Sequence, residues 1–289
     1  MRAAKKTSPG TSSCSDGDFD RPVPQLHQVW DKLHRGDREP WPDAKSIAGL
    51  AARNPPFAGR LDGQGGAAAV AEGLQSAWRE FHAGRFPQAI KLGSALGGIG
   101  AVVANKAAAI YSLTTQRGSA KRVDLLQAAI ERGEASVEEL PEYPNAHYML
   151  ALVLGRYSQD ISILKAVTAG LATRVKNHLE RTLALEPRHA EAHVALGLYH
   201  AELIGKLGGL AAAFTYGASR DKATEHFQRA LKLAPGSPIV HIEYANGLLL
   251  IDSANGRAKA EELYAEAASC KPLDAMERLD VERAQRGIP

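Results

Sequence analysis

The stretch that decides the fold is Ala223–Pro235, ATEHFQRALKLAP, because the chain has already written it once, as VKNHLERTLALEP at Val175–Pro187. Five of the thirteen positions are identical, and the copies lie 48 residues apart, Pro187 to Pro235. Each copy reads as an amphipathic helix stopped by a proline, which cannot continue an α-helix. A second helical stretch follows each stop: RHAEAHVALGLYHAEL after Pro187 and GSPIVHIEYANGLLLI after Pro235. A third of the same kind, YPNAHYMLALVLGRY, follows Pro141, and AKAEELYAEAASCKP (Ala258–Pro272) closes a further unit. The recurring set is a small residue, an aromatic or Leu four later, a small residue three after that, and a Pro five further. Ala223, Phe227, Ala230 and Pro235 show it in full, as do Ala260, Tyr264, Ala267 and Pro272. A single helical hairpin cannot cover its own apolar face, so stacked copies cover one another. Phe227 is the expected knob in that seam.

These residues resemble the tetratricopeptide repeat (TPR), a helix–turn–helix unit of about 34 residues with small residues where helices cross. The first-helix signature of that family stands here as Leu150 with Ala151, Leu196 with Gly197, and Tyr244 with Ala245. Three residues before each pair the family usually carries Trp, whereas this chain has His147, His193 and His241. The resemblance implies an all-α, TPR-like α-solenoid of about five units over Gly66–Pro272, sealed by the polar helix DAMERLDVERAQ. Earlier units are AWREFHAGRFPQAIKLG and a degenerate one spanning ANKAAAIYSL and RVDLLQAAIERGEASVEEL. The expected organisation is a disordered tail over 1–20, a helical segment over 21–65, the repeats over 66–272 and a capping helix over 273–289. Within 21–65, PQLHQVWDKLHRG and PDAKSIAGLAAR read as short helices, and NPPFAGRLDGQGG (Asn54–Gly66) as a linker. The stretches HLERTLALEPRHAEAHVALGLYHAELIGKLG and ATEHFQRALKLAPGSPIVH are also similar to the helical-repeat domain of proteins named regulators of microtubule dynamics and their bacterial relatives.

The repeat spacing exceeds the family's: His147 to His193 is 46 residues and His193 to His241 is 48. The extra residues fall inside the hairpins, as SQDISILKAVTAGLAT and IGKLGGLAAAFTYGAS, and both are apolar. They read as lengthened helices packed on their neighbours, as a flap or wall bordering a pocket, or as a partner-docking surface; a deep closed cavity lined by Ile163, Leu207, Leu210 and Phe214 would favour a ligand binder.

Composition narrows the function. The 289 residues are 45% hydrophobic and 23% charged, ordinary for a globular protein, and the formal charge of +3 comes with no basic stripe for nucleic acid. The longest apolar run, Ser94–Leu113, is interrupted by Asn105 and Lys106 and is not expected to span a membrane. Two cysteines far apart, Cys14 and Cys270, suit a reducing compartment, and no apolar segment follows the basic N-terminus, so a cytoplasmic location is expected.

No residues read as catalytic, and no cofactor or metal is expected. His189 and His193 are spaced i, i+4, as in some zinc sites, but both sit at positions that cap or pack a helix. SILK (Ser162–Lys165) lacks the partner motifs of a Ser-x-x-Lys enzyme. DGDFD (Asp16–Asp20) has Arg21 where a calcium loop needs Gly. LGGIG and LIGKLGG follow no strand and are not phosphate loops. What remains is the concave face. By resemblance, the positions lining it are Tyr148, Leu152 and Arg156, then Val194, Leu198 and Glu202, then Ile242, Asn246 and Leu249. The carboxylate-gripping version of that groove needs Lys, Asn and Arg, and only Asn246 and Arg156 are of suitable type. The expected function is a non-catalytic scaffold holding a protein partner in this groove, or else a binder of a small apolar ligand walled by the insertions.

Overall fold

The structure, a computed structural model, describes residues 19–288, apart from the side chains of Ile163 and Leu164. Of the expected tail, only Phe19 and Asp20 fall among the described residues; Cys14 and the start of DGDFD lie outside them. The described residues form sixteen α-helices and no strand. Three belong to the N-terminal segment: α1 (Val23–Leu33), α2 (Ala44–Arg53) and α3 (Pro55–Leu61). Then come five hairpins. They are α4 (Gly66–His82) with α5 (Phe86–Ala95), α6 (Ala101–Ser112) with α7 (Ala120–Glu139), and α8 (Pro144–Ser158) with α10 (Leu171–Leu185). The last two are α11 (Ala190–Leu207) with α13 (Arg220–Leu233), and α14 (Pro238–Ile251) with α15 (Ser253–Ser269). The short helices α9 (Ile163–Thr168) and α12 (Gly209–Tyr216) are the insertions, and α16 (Ala275–Gln285) closes the stack.

Local chemistry sets these boundaries. Ser119, Ser162, Ser219 and Asp274 each accept a backbone N–H at a helix start, and Asp43 forms a reciprocal capping box with Ser46. Proline occupies the first turn of α8 and α14, where its missing N–H costs nothing. The linker expected over Asn54–Gly66 is instead α3 followed by a 3₁₀ turn. Its two prolines start a helix rather than break one, and Phe57 is fully buried, anchoring it to the core.

Phe227 has no exposed surface and stacks on Tyr244 with ring centroids 4.9 Å apart. It meets glycines on both neighbouring first helices. A Cβ on Gly197 of α11 would lie 2.6 Å from the ring, and one on Gly247 of α14 would lie 2.3 Å from it. No side chain tolerates such distances, so those glycines are what let the ring enter the seam. The N-terminal segment is not a separate body. Leu26, Trp30 and Phe57 share one apolar cluster with Trp78 and Phe81 of α4, Met149 of α8 and Met276 of α16. No helix among the described residues is long and apolar enough to cross a membrane.

A half-open cavity and the buried charge network beneath it

The histidines standing in place of Trp have a repeated job. Each bonds through Nε2 to the carbonyl of the proline that ended the previous helix, six residues earlier. His147 reaches Pro141 at 3.0 Å, His193 reaches Pro187 at 3.2 Å, and His241 reaches Pro235 at 2.6 Å. The carbonyl can only accept, so Nε2 carries the proton; in His147 and His193 this leaves Nδ1 free to accept, whereas Nδ1 of His241 lies 2.9 Å from the Glu266 carboxylate. In two units Nδ1 meets a histidine of the second helix: His147 with His178 at 3.1 Å, and His193 with His226 at 2.9 Å. A neutral pair satisfies both rings, and burial is the first cause lowering the pKa of all four. These histidines therefore staple hairpins. Among the described residues no group of three or more His, Cys, Asp or Glu is placed to hold a metal ion.

The inner face of α8, α11 and α14 encloses a half-open cavity of about 560 Å³. Of the nine groove positions, seven line it: Tyr148, Leu152, Arg156, Val194, Leu198, Glu202 and Asn246. Ile242 and Leu249 do not. Ile242 is fully buried, and both pack in the cluster formed with Phe227 and Tyr264. At 100° per residue the cavity stripe of α14 is Ile239, Glu243, Asn246 and Leu250, and the two displaced residues lie roughly 70–90° around the helix from it. That face is covered because α15 and α16 both pack on α14. The insertions do border the cavity, through Ala166 and Val167 on one side and Leu207 and Tyr216 on the other. Leu210 and Phe214, which a closed ligand pocket would have turned inward, are 91% and 95% exposed. The side chain of Ile163 lies outside the described residues.

Two of the lining residues carry a buried polar atom with no hydrogen-bond partner in the protein: Nε of Arg156 and the hydroxyl of Tyr199. Burial pushes the Tyr199 phenol up to about 12, so it stays a donor. Arg283 of α16 reaches the wall as well, paired with Glu243 at 3.2 Å. The cavity is thus a mainly apolar trough whose lining also carries charges of both signs, Arg156, Lys206 and Arg283 with Glu191, Glu202 and Glu243.

Beneath it lies a buried charge network that no sequence motif announces. Lys106 of α6, 3% exposed, bonds Asp37 and lies 3.2 Å from Glu191, which lines the cavity. Burial alone would raise the Asp37 carboxyl, but His34 and Lys106 hold it well below the usual carboxylate range. Glu39 accepts from Tyr143 and Asn145, both at 2.5 Å, and its carboxyl is pushed up to about 8 by burial and by the charge of Asp37. His189 caps α11 by accepting from Ala192 N through Nδ1, so its Nε2–H donates to Asn145 at 2.8 Å. Burial lowers its pKa to about 3. Arg35 joins the 34–39 turn to Gly236 and to Glu277 of α16. The signal available in the sequence was a lone Lys in an apolar helix, which demands a buried counter-ion.

Against known proteins, the fold is similar to the crystal structure of a thermophilic TPR protein from Thermus thermophilus, at a TM-score of 0.53 and 20% identity, covering 75% of this chain and 99% of that one. No curated protein matches the chain. The profile of a protein family described as regulator of microtubule dynamics protein 1-3 matches residues 101–283, which run from α6 to Arg283 on the cavity wall. That match spans well over half of the 289 residues, and with the stacked hairpins it places this chain in the regulator of microtubule dynamics protein 1-3 family.

Proposed function

We propose that the chain is a non-catalytic, TPR-like scaffold, working in the cytoplasm, that holds an apolar segment of a partner protein in its concave cavity. The observation that carries this reading is the trough itself: about 560 Å³, open to one side and walled by Leu152, Val194 and Leu198, with polar groups at its edge. Tyr148, Arg156, Glu202 and Asn246 are the side chains that would orient the segment.

A second reading has its own support. The same mainly apolar lining, to which Ala166, Val167, Leu207 and Tyr216 of the insertions contribute, suits a small apolar ligand.

A photo-crosslinking amino acid at position 198 separates the two. Irradiated in native lysate, it should add a polypeptide of defined mass, while the same group at exposed position 229 should not. A low-mass adduct at 198 favours the ligand reading; identical products from both positions contradict the groove altogether.

A further inference from the structure

A chain of four side chains crosses the core: Asp37, His34, His82 and Asp274. Asp37 Oδ1 lies 2.9 Å from His34 Nδ1, the two Nε2 atoms lie 3.2 Å apart, and His82 Nδ1 lies 2.7 Å from Asp274 Oδ2. The two imidazoles come from the end of α1 and the end of α4, while Asp274 caps α16 through Glu277 N at 2.7 Å. All four side chains are buried.

Proton counting fixes their state. Both aspartates are held as carboxylates: burial opposes this, but His34 and Lys106 outweigh it for Asp37, as His82 does for Asp274. A carboxylate only accepts, so each imidazole carries hydrogen on Nδ1. The facing Nε2 atoms attract one another only if one of them also carries hydrogen; two bare lone pairs at that distance would repel. Three N–H groups on two rings make one imidazolium. Burial works against the charge on His34 and lowers its pKa to about 4. Trp78 stacks on His82, with centroids 5.7 Å apart and planes 23° from parallel, and an aromatic face favours a cation.

We propose that His34 and His82 share one buried proton that latches the N-terminal turn and the C-terminal helix α16 onto the stack and releases them when it leaves. A group that binds a proton when folded and loses it when unfolded contributes stability at low pH that is lost as pH rises. The latch is therefore closed while the pair holds its proton and opens as rising pH removes it. Other titratable groups face the pair. Glu39, with its carboxyl up at about 8, ionises in the same direction beside Asp37, and burial also raises Glu191 and Glu277. Burial opposes the charge on Lys106, but Asp37 and Glu191 outweigh it and keep the ammonium protonated; Arg35 pairs with Glu277, and burial keeps His189 neutral.

The test uses the full chain with ¹⁵N-labelled histidine, following the ring nitrogens from pH 6 to 9. At pH 7 one buried ring should show both nitrogens protonated and its neighbour only Nδ1. Two neutral rings at pH 7 would overturn the proposal. Asp274→Asn keeps a good helix cap while removing the counter-charge. It should bring proton loss down by about one pH unit or more, and speed amide exchange in Ala275–Gln285 about tenfold at the same alkaline pH. Glu39→Gln should leave the ring titration in place. An unchanged ring titration in Asp274→Asn would also overturn it, because a merely structural role shifts stability at every pH alike.

Discussion

Replacing Phe227 by Ala, alone and together with Gly247→Ala, tests the packing of the stack at its tightest point. The ring is fully buried against two helices whose glycines leave it no slack. Deleting it removes the transfer free energy of a whole phenyl group and leaves a void that helix backbones on either side cannot close. Phe→Ala at such sites costs about 3–5 kcal/mol, and the upper half of that range is expected here. Gly247→Ala alone should also destabilise, because its Cβ would fall 2.3 Å from the ring, and overpacking of this kind costs about 1–3 kcal/mol. With Phe227 already removed, the same methyl enters empty space and gains the helix propensity of Ala over Gly, about 1 kcal/mol. The sign of Gly247→Ala therefore reverses between the two backgrounds. Urea melts followed by far-ultraviolet circular dichroism measure all four corners of the cycle, with m-values checked for constancy. Equal costs for Gly247→Ala in both backgrounds would refute the lodged ring.

Three further outcomes are expected. Lys106→Met should lose about 3–5 kcal/mol in the same melts, because it strands Asp37 and Glu191 without their cation. Stability should fall as pH drops from about 6.5 towards 4: His34 and His189 are buried neutral with pKa values of about 4 and 3, so the unfolded chain takes up protons the folded one refuses. Melts at pH 7, 5.5 and 4.5 measure this, and His189→Asn, which can keep the cap, should flatten the acid limb. Leu210→Ser with Phe214→Ser should change stability by less than about 0.5 kcal/mol per site, since both side chains are almost wholly exposed.

How much of this was legible in the sequence differs by element, for physical reasons. The repeats were legible because close helix crossings demand small residues at fixed intervals, as Ala223, Ala230 and Gly197 show. The histidines at the Trp positions were visible, and so was a proline six residues before each; the missing step was that a helix ending in proline leaves a carbonyl for them to take. The cavity lining follows the repeat positions on α8 and α11, which have a like neighbour on each side. It shifted on α14 because α15 and α16 cover the face bearing Ile242 and Leu249. Helix α3 was hidden because prolines that open a helix look the same as prolines that forbid one. The charge network was illegible because its members come from distant stretches: Lys106 meets Asp37 across 69 positions, and His82 meets Asp274 across 192. No local pattern records such partners.

A trough between α8, α11 and α14 that receives an apolar guest should also take up a small apolar probe. Titration of the chain with the apolar anion 8-anilinonaphthalene-1-sulfonate, followed by fluorescence, puts this to the test, in parallel with Leu198→Trp. Saturable one-to-one binding is expected, and the added indole should abolish it while the melt stays cooperative. Binding of equal strength in both proteins, or none in either, would contradict a receptor in the trough.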